Sequence, residues 1–454
     1  MTPLDSNIQP HALAVEEFCD AAQSNKVLSK VALRILPLLF TGYLLAFLDR
    51  INVGYAQLQM KSDLGFSDAV YGLGAGLFFL SYLIFEVPSN ILLERIGARL
   101  TLLRIMMFWG LASAVTMFVK TPVQFYVVRL LLGVAEAGFF PGIVLYLTYW
   151  FPSSHRGRVT GQFMFAIPVA GLLGGPLSGW IMTAMNGTLG LKGWQWLFVI
   201  EGLPTAVLGV LSYLLLQDGP NDAHWLTDEE KVRLQSVLSR DASATAGNQR
   251  SHHSLFRTVV LDRGVWILAF VYFAVASALY TYTFWLPTML RELGLTSVAQ
   301  IGWYSAVPYA FCCLGVLSIT RSSDFFRERK WHIASSLIIG SLSICIAAAY
   351  QMSTLTGLAI LSLSGFFLFG ASIAYWAMPP TYLSKDAASV GIAVISSFGI
   401  LGGFLSPTLI GFVKTETGSL ASGVYGMTAI ALAGALAILF ALPSKALRVG
   451  PHQN

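Results

Sequence analysis

Apolar stretches recur along the whole chain, separated by short polar breaks that carry glycine, proline and charge. About 20 helical residues cross the roughly 30 Å of hydrocarbon in a bilayer, so each stretch predicts one membrane-spanning helix. Spans are expected to start near residues 31, 69, 100, 123, 160, 195, 259, 301, 332, 355, 388 and 421. The longest polar interruption, 218–258, follows the sixth span. That spacing predicts an all-α membrane protein with twelve transmembrane helices in two six-helix bundles. The expected divisions are an N-terminal tail 1–30, a first bundle 31–217, a central loop 218–258, a second bundle 259–443 and a tail 444–454.

Two polar segments carry further pattern. In the central loop, Thr227-Asp-Glu-Glu230 has the form of a capping box, in which side chains satisfy the free donors at a helix start. It predicts a short surface helix to about Ser239, while Asp241–His253, rich in Ala, Ser, Thr, Asn and Gln, predicts loose chain. A weak internal repeat joins the second span to the third through Asn90–Arg99 and the eighth to the ninth through Arg321–Lys330. Both turns run acidic then basic. As solvated turns their ion pairs would contribute little. Their repetition favours the other reading, that they latch one state at the bundle interface.

Composition agrees with the pattern. Of 454 residues, 55% are hydrophobic and 11% charged, with a mean hydropathy of +0.67, against roughly 25% charged in soluble domains. No soluble fold of this length hides so much apolar surface, and a membrane-embedded transporter or channel is the class that remains. The net charge of +5 matters as a distribution, because Lys and Arg accumulate in cytoplasmic loops. Twenty of the 28 fall in the tails and the loops on their side, five (Lys61, Lys120, Lys192, Arg291, Lys414) fall on the other, and Arg50, Arg104 and Arg129 fall inside or at the edge of spans. Both termini are therefore expected in the cytoplasm, with the chain in the inner membrane. The acidic N-terminal tail lacks the pattern of a signal peptide. Cys19, Cys312, Cys313 and Cys345 have neither metal-ligand spacing nor an extracellular pair, so reduced thiols are expected. His252, His253 and His332 also lack metal spacing, and no Walker sequence occurs, so no metal, nucleotide or other cofactor is expected. Nothing points to nucleic acid.

Charges inside spans need a partner or a function, since each costs about 2.5–3.5 kcal/mol at the bilayer centre on insertion scales. Asp49 and Arg50 are adjacent in the first span; Arg129 and Glu136 stand seven residues apart in the fourth, about two turns, and so share one face. One reading is a structural network in which Asp49 pairs with Arg50 or Arg129 and Glu136 with the arginine that remains, though desolvation cancels much of such attraction. The other is functional: a guanidinium fork holds a carboxylate, and carboxylates change protonation as a cavity fills or empties. Four ionisable groups on two helices exceed what packing requires, which favours function. Glu86 and Glu201 lie beside prolines and are expected as kink or interhelical partners. Arg104 is expected to snorkel to the headgroups. The close glycines Gly138/Gly142, Gly175/Gly179 and Gly399/Gly402/Gly403 are expected to serve packing.

Several segments carry a resemblance: Phe47-Leu-Asp-Arg-Ile-Asn52, Ser81-Tyr-Leu-Ile-Phe-Glu-Val-Pro-Ser-Asn90, Arg129-Leu-Leu-Leu-Gly-Val-Ala-Glu-Ala-Gly138, Gly193-Trp-Gln-Trp-Leu-Phe-Val-Ile-Glu-Gly202 and Phe284-Trp-Leu-Pro287. Together with the 6+6 plan they resemble the major facilitator superfamily and, within it, the anion:cation symporters. The resemblance covers nearly all of the chain outside the tails and the central loop. It implies proton-coupled uptake of a small organic anion, of the kind represented by sugar acids, tartrate, phthalate or hydroxyphenylacetate, by alternating access. It implies Arg50 and Arg129 in anion binding, Asp49 and Glu136 in proton coupling, and Tyr82 as a substrate contact. In the second half Tyr280, Tyr282, Trp285, Tyr375 and Trp376 crowd the seventh and tenth spans; such aromatics commonly fill bundles, and Tyr282 and Trp376 are the candidate contacts among them. Where many members carry two asparagines four residues apart, this chain reads Ser396-Ser-Phe-Gly-Ile400. Ser396 is thus the candidate contact from the eleventh span, and the loss of amides, with Phe47 beside Asp49, favours an aromatic acid over a sugar acid or dicarboxylate. The expected partners are the anion, protons and the bilayer, with a monomeric chain. Competing readings are a proton-independent exchanger and a membrane-embedded enzyme, for which no nucleophile with a base is found.

Overall fold

The computed structural model describes residues 8–245, 252–383 and 388–442. The expectations placed on the Cys19 side chain, on residues 246–251 of the predicted loose stretch, on Lys385 and on residues 443–454 lie outside what it describes.

Among the described residues, twelve helices are long and apolar enough to cross a membrane: Gln23–Leu64, Asp68–Ile96, Ala98–Phe118, Pro122–Thr148, Ser153–Ala184, Gly193–Leu215, Arg263–Glu292, Val298–Phe325, Lys330–Ala349, Thr354–Tyr382, Val390–Thr417 and Leu420–Ala441. Sequence-encoded caps set several starts. Ser67, Thr121 and Ser353 each accept from a backbone N–H three residues on, at 3.2, 3.3 and 3.2 Å. The first helix begins far earlier than expected and runs Ile8–Leu64. Between His11 and Lys30 there is no glycine or proline to break it, and Pro10 falls in the first turn, where a missing N–H costs nothing.

The first six spans form one bundle and the last six another, and the two meet along spans 1 and 7, 2 and 11, and 5 and 8. Close approach needs small residues. A Cβ on Gly175 would lie 1.8 Å from Ser305 Oγ and 2.7 Å from the Gly302 carbonyl oxygen. Among the described residues, the hydrogen bonds between the bundles run from the middle of the first span to one end only. Arg50 donates to Tyr280 Oη at 3.3 Å, Tyr55 to Ser305 Oγ at 2.8 Å and Gln57 to Thr288 Oγ1 at 3.1 Å. Farther out, Tyr71 donates to the Phe284 carbonyl at 3.0 Å, Arg291 to that of Leu58 at 3.0 Å and the Ala69 amide to Thr415 Oγ1 at 2.8 Å. The bundles are thus joined at the end opposite the central segment, called here the far end.

At the linker end, the capping box forms reciprocally: Glu230 N–H donates to Thr227 Oγ1 at 3.2 Å and Thr227 N–H to Glu230 Oε2 at 2.9 Å. The resulting helix, Asp228–Thr245, is longer than predicted. Its end is fastened where loose chain was expected, because Asp241 accepts from the Ser153 N–H at 3.0 Å and pairs with Arg156 at 2.7 Å. A second helix, His252–Leu261, also replaces expected loose chain. Lys30 pairs with Glu230 at 2.7 Å, and its hydrogen bond holds the Glu230 carboxyl below the ordinary carboxylate range. Trp225 stacks on Trp150, 5.8 Å between centroids. The linker helix is therefore strapped to the first bundle.

The repeated charged turns, expected to latch one state, make no bond to the opposite bundle in this conformation among the described residues. The Arg99 amide donates to Asp218 Oδ1 at 3.0 Å and its guanidinium to the Tyr213 carbonyl at 2.7 Å, while Arg329 donates to the Ala377 carbonyl. Each turn is tied within its own bundle. Arg104, expected to snorkel to the headgroups, donates to Ser89 Oγ at 2.7 Å and joins the second and third spans.

A candidate anion site at the bundle boundary

Consecutive helical residues diverge by about 100°, so Asp49 and Arg50 cannot serve the same neighbour. Asp49 turns into the first bundle, where its Oδ1 accepts from Ser113 Oγ at 2.9 Å and from Asn52 Nδ2 at 3.1 Å. Arg50 turns to the boundary, pairs with Glu136 of the fourth span and donates to Tyr280 Oη of the seventh. The pairing of Asp49 with Arg50 is not made.

Glu136 owes its place to a break in the fourth span. The helix Pro122–Glu136 ends at this residue, Gly138 takes a left-handed φ of 86°, and a new helix runs Phe139–Thr148. Gly138 was expected only to pack. A Cβ there would lie 2.5 Å from Ser89 Oγ, and an L side chain disfavours that φ, so glycine is required twice over. The break leaves the Glu136 carboxylate at a helix C-terminus, where a cation such as Arg50 is favoured.

Arg129 shares its face with Glu136 as expected, but they are not bonded to each other. Its Nε donates to the Gly74 carbonyl at 3.2 Å, and one terminal nitrogen is buried with no hydrogen-bond partner among the described residues. The two guanidiniums approach the same ring, Phe78, each at 5.2 Å from its centroid. Phe79 and Tyr82 lie 5.8 and 6.0 Å from Arg50. An arginine against aromatic faces keeps its charge in a poorly hydrated place, and the result is a largely buried cluster of two guanidiniums against aromatic rings.

The residues named from the second half divide. Trp376 packs edge-on against Tyr272 at 4.7 Å, Tyr272 stacks on Tyr375 at 5.0 Å, and Ser396 lies one turn before Gly399, whose backbone abuts Tyr272. These form a patch whose Tyr272 lies near Tyr280, the hydrogen-bond partner of Arg50. Tyr282 is fully buried inside the second bundle, donating to the Leu361 carbonyl at 3.2 Å between the rings of Tyr309 and Phe369. The structure does not bring it to the arginines. Tyr280 occupies that place, with Phe79 at 4.5 Å and Phe284 at 6.0 Å. Its spacing of four from Phe284 was the available signal, as i and i+4 share a face. Asn52, three residues after Asp49, was legible in the same way. Glu201 accepts from Ser178 Oγ at 3.1 Å, the interhelical role expected of it, and Glu86 is only partly buried.

The sequence profile described as Major Facilitator Superfamily matches residues 39–407. The chain belongs to the major facilitator superfamily. As a member it is a multi-pass membrane transporter and not an enzyme. A candidate tartrate transporter of Agrobacterium vitis is 41% identical over 432 residues, covering 94% of this chain and 98% of that one. NicT, a candidate metabolite transport protein of Pseudomonas putida, is 40% identical over 437 residues, covering 96% and 99%. A quinolone resistance transporter of Acinetobacter baumannii is 39% identical, covering 90% and 93%. A solved bacterial homologue of the human lysosomal transporter Spinster, inward-facing and occupied, superposes with a TM-score of 0.71 at 16% identity, covering 92% of this chain and 98% of that one. That likeness bears on the fold alone.

Arg129→Lys tests this transporter's candidate site. A compact ammonium cannot bond the Gly74 carbonyl and still present an edge to an anion. Losing a charged hydrogen bond of about 1.5–3 kcal/mol corresponds to roughly 10- to 150-fold weaker binding. Calorimetry on the folded variant is expected to show that loss; near-wild-type affinity would remove Arg129 from the site.

Proposed function

We propose that the protein takes up a small organic carboxylate together with a proton by alternating access, with an aromatic acid the favoured substrate. The observation that carries the reading is the Arg50–Glu136 pair. It lies at the boundary between bundles, at a break in a membrane helix, and it is held on both sides by residues of opposite halves. A carboxylate substrate competes with Glu136 for Arg50. Once displaced, Glu136 is an uncompensated buried charge, which is costly, and a proton neutralises it. Anion binding and proton binding then favour each other, as coupling requires. Asp49, buried and ion-paired with no cation among the described residues, is the second exchanging carboxyl. Arg129 supplies the second cation, and Tyr82 and Tyr280 line the path.

Basic residues gather at the linker end, so we place that end, both termini and the strap helix in the cytoplasm, with the chain in an inner membrane and working as a monomer. The far-end closure then makes this an inward-facing state. The rings around Arg50 support an aromatic acid. A second reading, a dicarboxylate of the kind named for the Agrobacterium relative, is favoured by one observation, the two guanidiniums beside one ring. Competition uptake in cells separates the two. An aromatic monocarboxylate is expected to inhibit more strongly than tartrate or a C6 aldonate, and the reverse order would overturn the preference.

Glutamine imitates a protonated glutamate. Glu136→Gln is expected to bind and exchange substrate in counterflow yet fail to accumulate it in proteoliposomes under an imposed pH gradient. Retained proton-driven accumulation would remove Glu136 as the essential coupling group.

A further inference from the structure

The buried charges around the first span do not balance. Asp49, Glu136 and Glu201 are 6%, 2% and 3% exposed; the cations beside them are Arg50 and Arg129. Glu136 is matched by Arg50, and Arg129 acts on both Asp49 and Glu136. Glu201 has no Lys, Arg or His bonded to it among the described residues. Its neighbours include Ser178 of the fifth span and Asn52, Asp49 and Tyr55 of the first. Asp49 and Tyr55 are the titratable groups among them, and neither is a cation. A buried anion without a counter-charge is costly enough that the group takes up a proton instead.

Hydrogen-bond accounting agrees. Asp49 Oδ2, Asn52 Oδ1 and Glu201 Oε2 are all buried acceptors without a donor. The indole Nε1 of Trp109 is an unclaimed donor beside Asp49 and serves the first. Two acceptors remain, on residues that face each other. Turning the Asn52 amide over would set its oxygen against Asp49 Oδ1 and lose the 3.1 Å bond. One hydrogen on Glu201 Oε2 turns an acceptor without a donor into a donor, within hydrogen-bond reach of the Asn52 side chain.

We propose that Glu201 is a neutral carboxylic acid throughout the transport cycle, a resident proton of the first bundle that fixes Asn52 and leaves Asp49 as the one exchanging group of the two. It is a positioning residue, and the inference rests on the reading of Asp49 as a proton carrier.

Infrared spectroscopy of the whole protein in lipid, with and without an aromatic monocarboxylate, tests it. A protonated-carboxyl carbonyl band is expected in the wild type, unchanged by the ligand, and absent from Glu201→Gln. The same variant is expected to accumulate substrate under a pH gradient with the wild-type pH profile, whereas Glu201→Ala, which leaves Asn52 without a donor, shifts that profile. The band that Glu201→Gln removes would overturn the proposal if, in the wild type, it appeared or vanished with ligand; the ligand-induced band expected from Glu136 is told apart by its loss in Glu136→Gln. So would a Glu201→Gln variant that exchanges substrate but no longer accumulates it, since Glu201 would then carry a transported proton. Sodium-dependent uptake lost in Glu201→Gln would overturn it in favour of a cation site. Asp49→Asn with full proton-driven accumulation would instead defeat the role given to Asp49, while the ligand-independent band would still stand for Glu201.

Discussion

The structure depends on the cost of leaving a charge unpaired in a low-dielectric interior. Breaking a buried pair by removing one partner costs about 3–5 kcal/mol, so the Arg50–Glu136 contact can open only if something else arrives for each member. On the proposed function an anion would satisfy the arginine and a proton the carboxylate, and the pair would be an exchange point between two ligands of opposite charge. The placement of spans 1, 4 and 7 around it follows, with Arg50 from the first, Glu136 from the fourth and Tyr280 from the seventh.

The break after Glu136 and the closure at the far end belong to the same arrangement. A continuous fourth helix would leave no free helix end at the pair; Gly138 provides one in a position that no side chain could occupy. The far-end closure is built from small residues and a few cross-bundle hydrogen bonds of which Tyr55–Ser305 is typical. Such contacts are weak singly and join two separate bundles, which would suit the opening that the proposed function requires. At the linker end the strap helix and both charged turns are committed to their own bundles, so those charges bind each bundle internally and leave its partner free to move.

The spans were legible because hydrocarbon thickness imposes a length, and most helix starts fell within a few residues of expectation. The exceptions are instructive. The first helix begins early, since polar sequence without breakers continues a helix, and the fifth begins early straight after Pro152 and runs through Gly157; hydropathy is silent at both. The strap helix outlasted its prediction because Asp241 found Ser153 and Arg156, partners distant in sequence. For the site, the four charged residues of spans 1 and 4 were evident from their cost, but their pairing was not. Adjacent Asp49 and Arg50 read as partners in one dimension, and helical rotation sends them to different neighbours. Tyr282 and Tyr280 exchanged roles for the same reason. The break at Gly138 was hidden, because a glycine that needs a left-handed φ and one that merely packs look alike in a single sequence.

The central claim is that substrate and proton are exchanged at one pair, and proton uptake on binding measures it directly. Purified protein in weakly buffered detergent solution would be mixed with an aromatic monocarboxylate at neutral pH while an indicator dye follows the proton. The account predicts that a proton is taken up for each anion bound, with the extent falling as the pH is lowered and the carboxyl becomes protonated beforehand. Saturable anion binding with no proton uptake at any pH would contradict it.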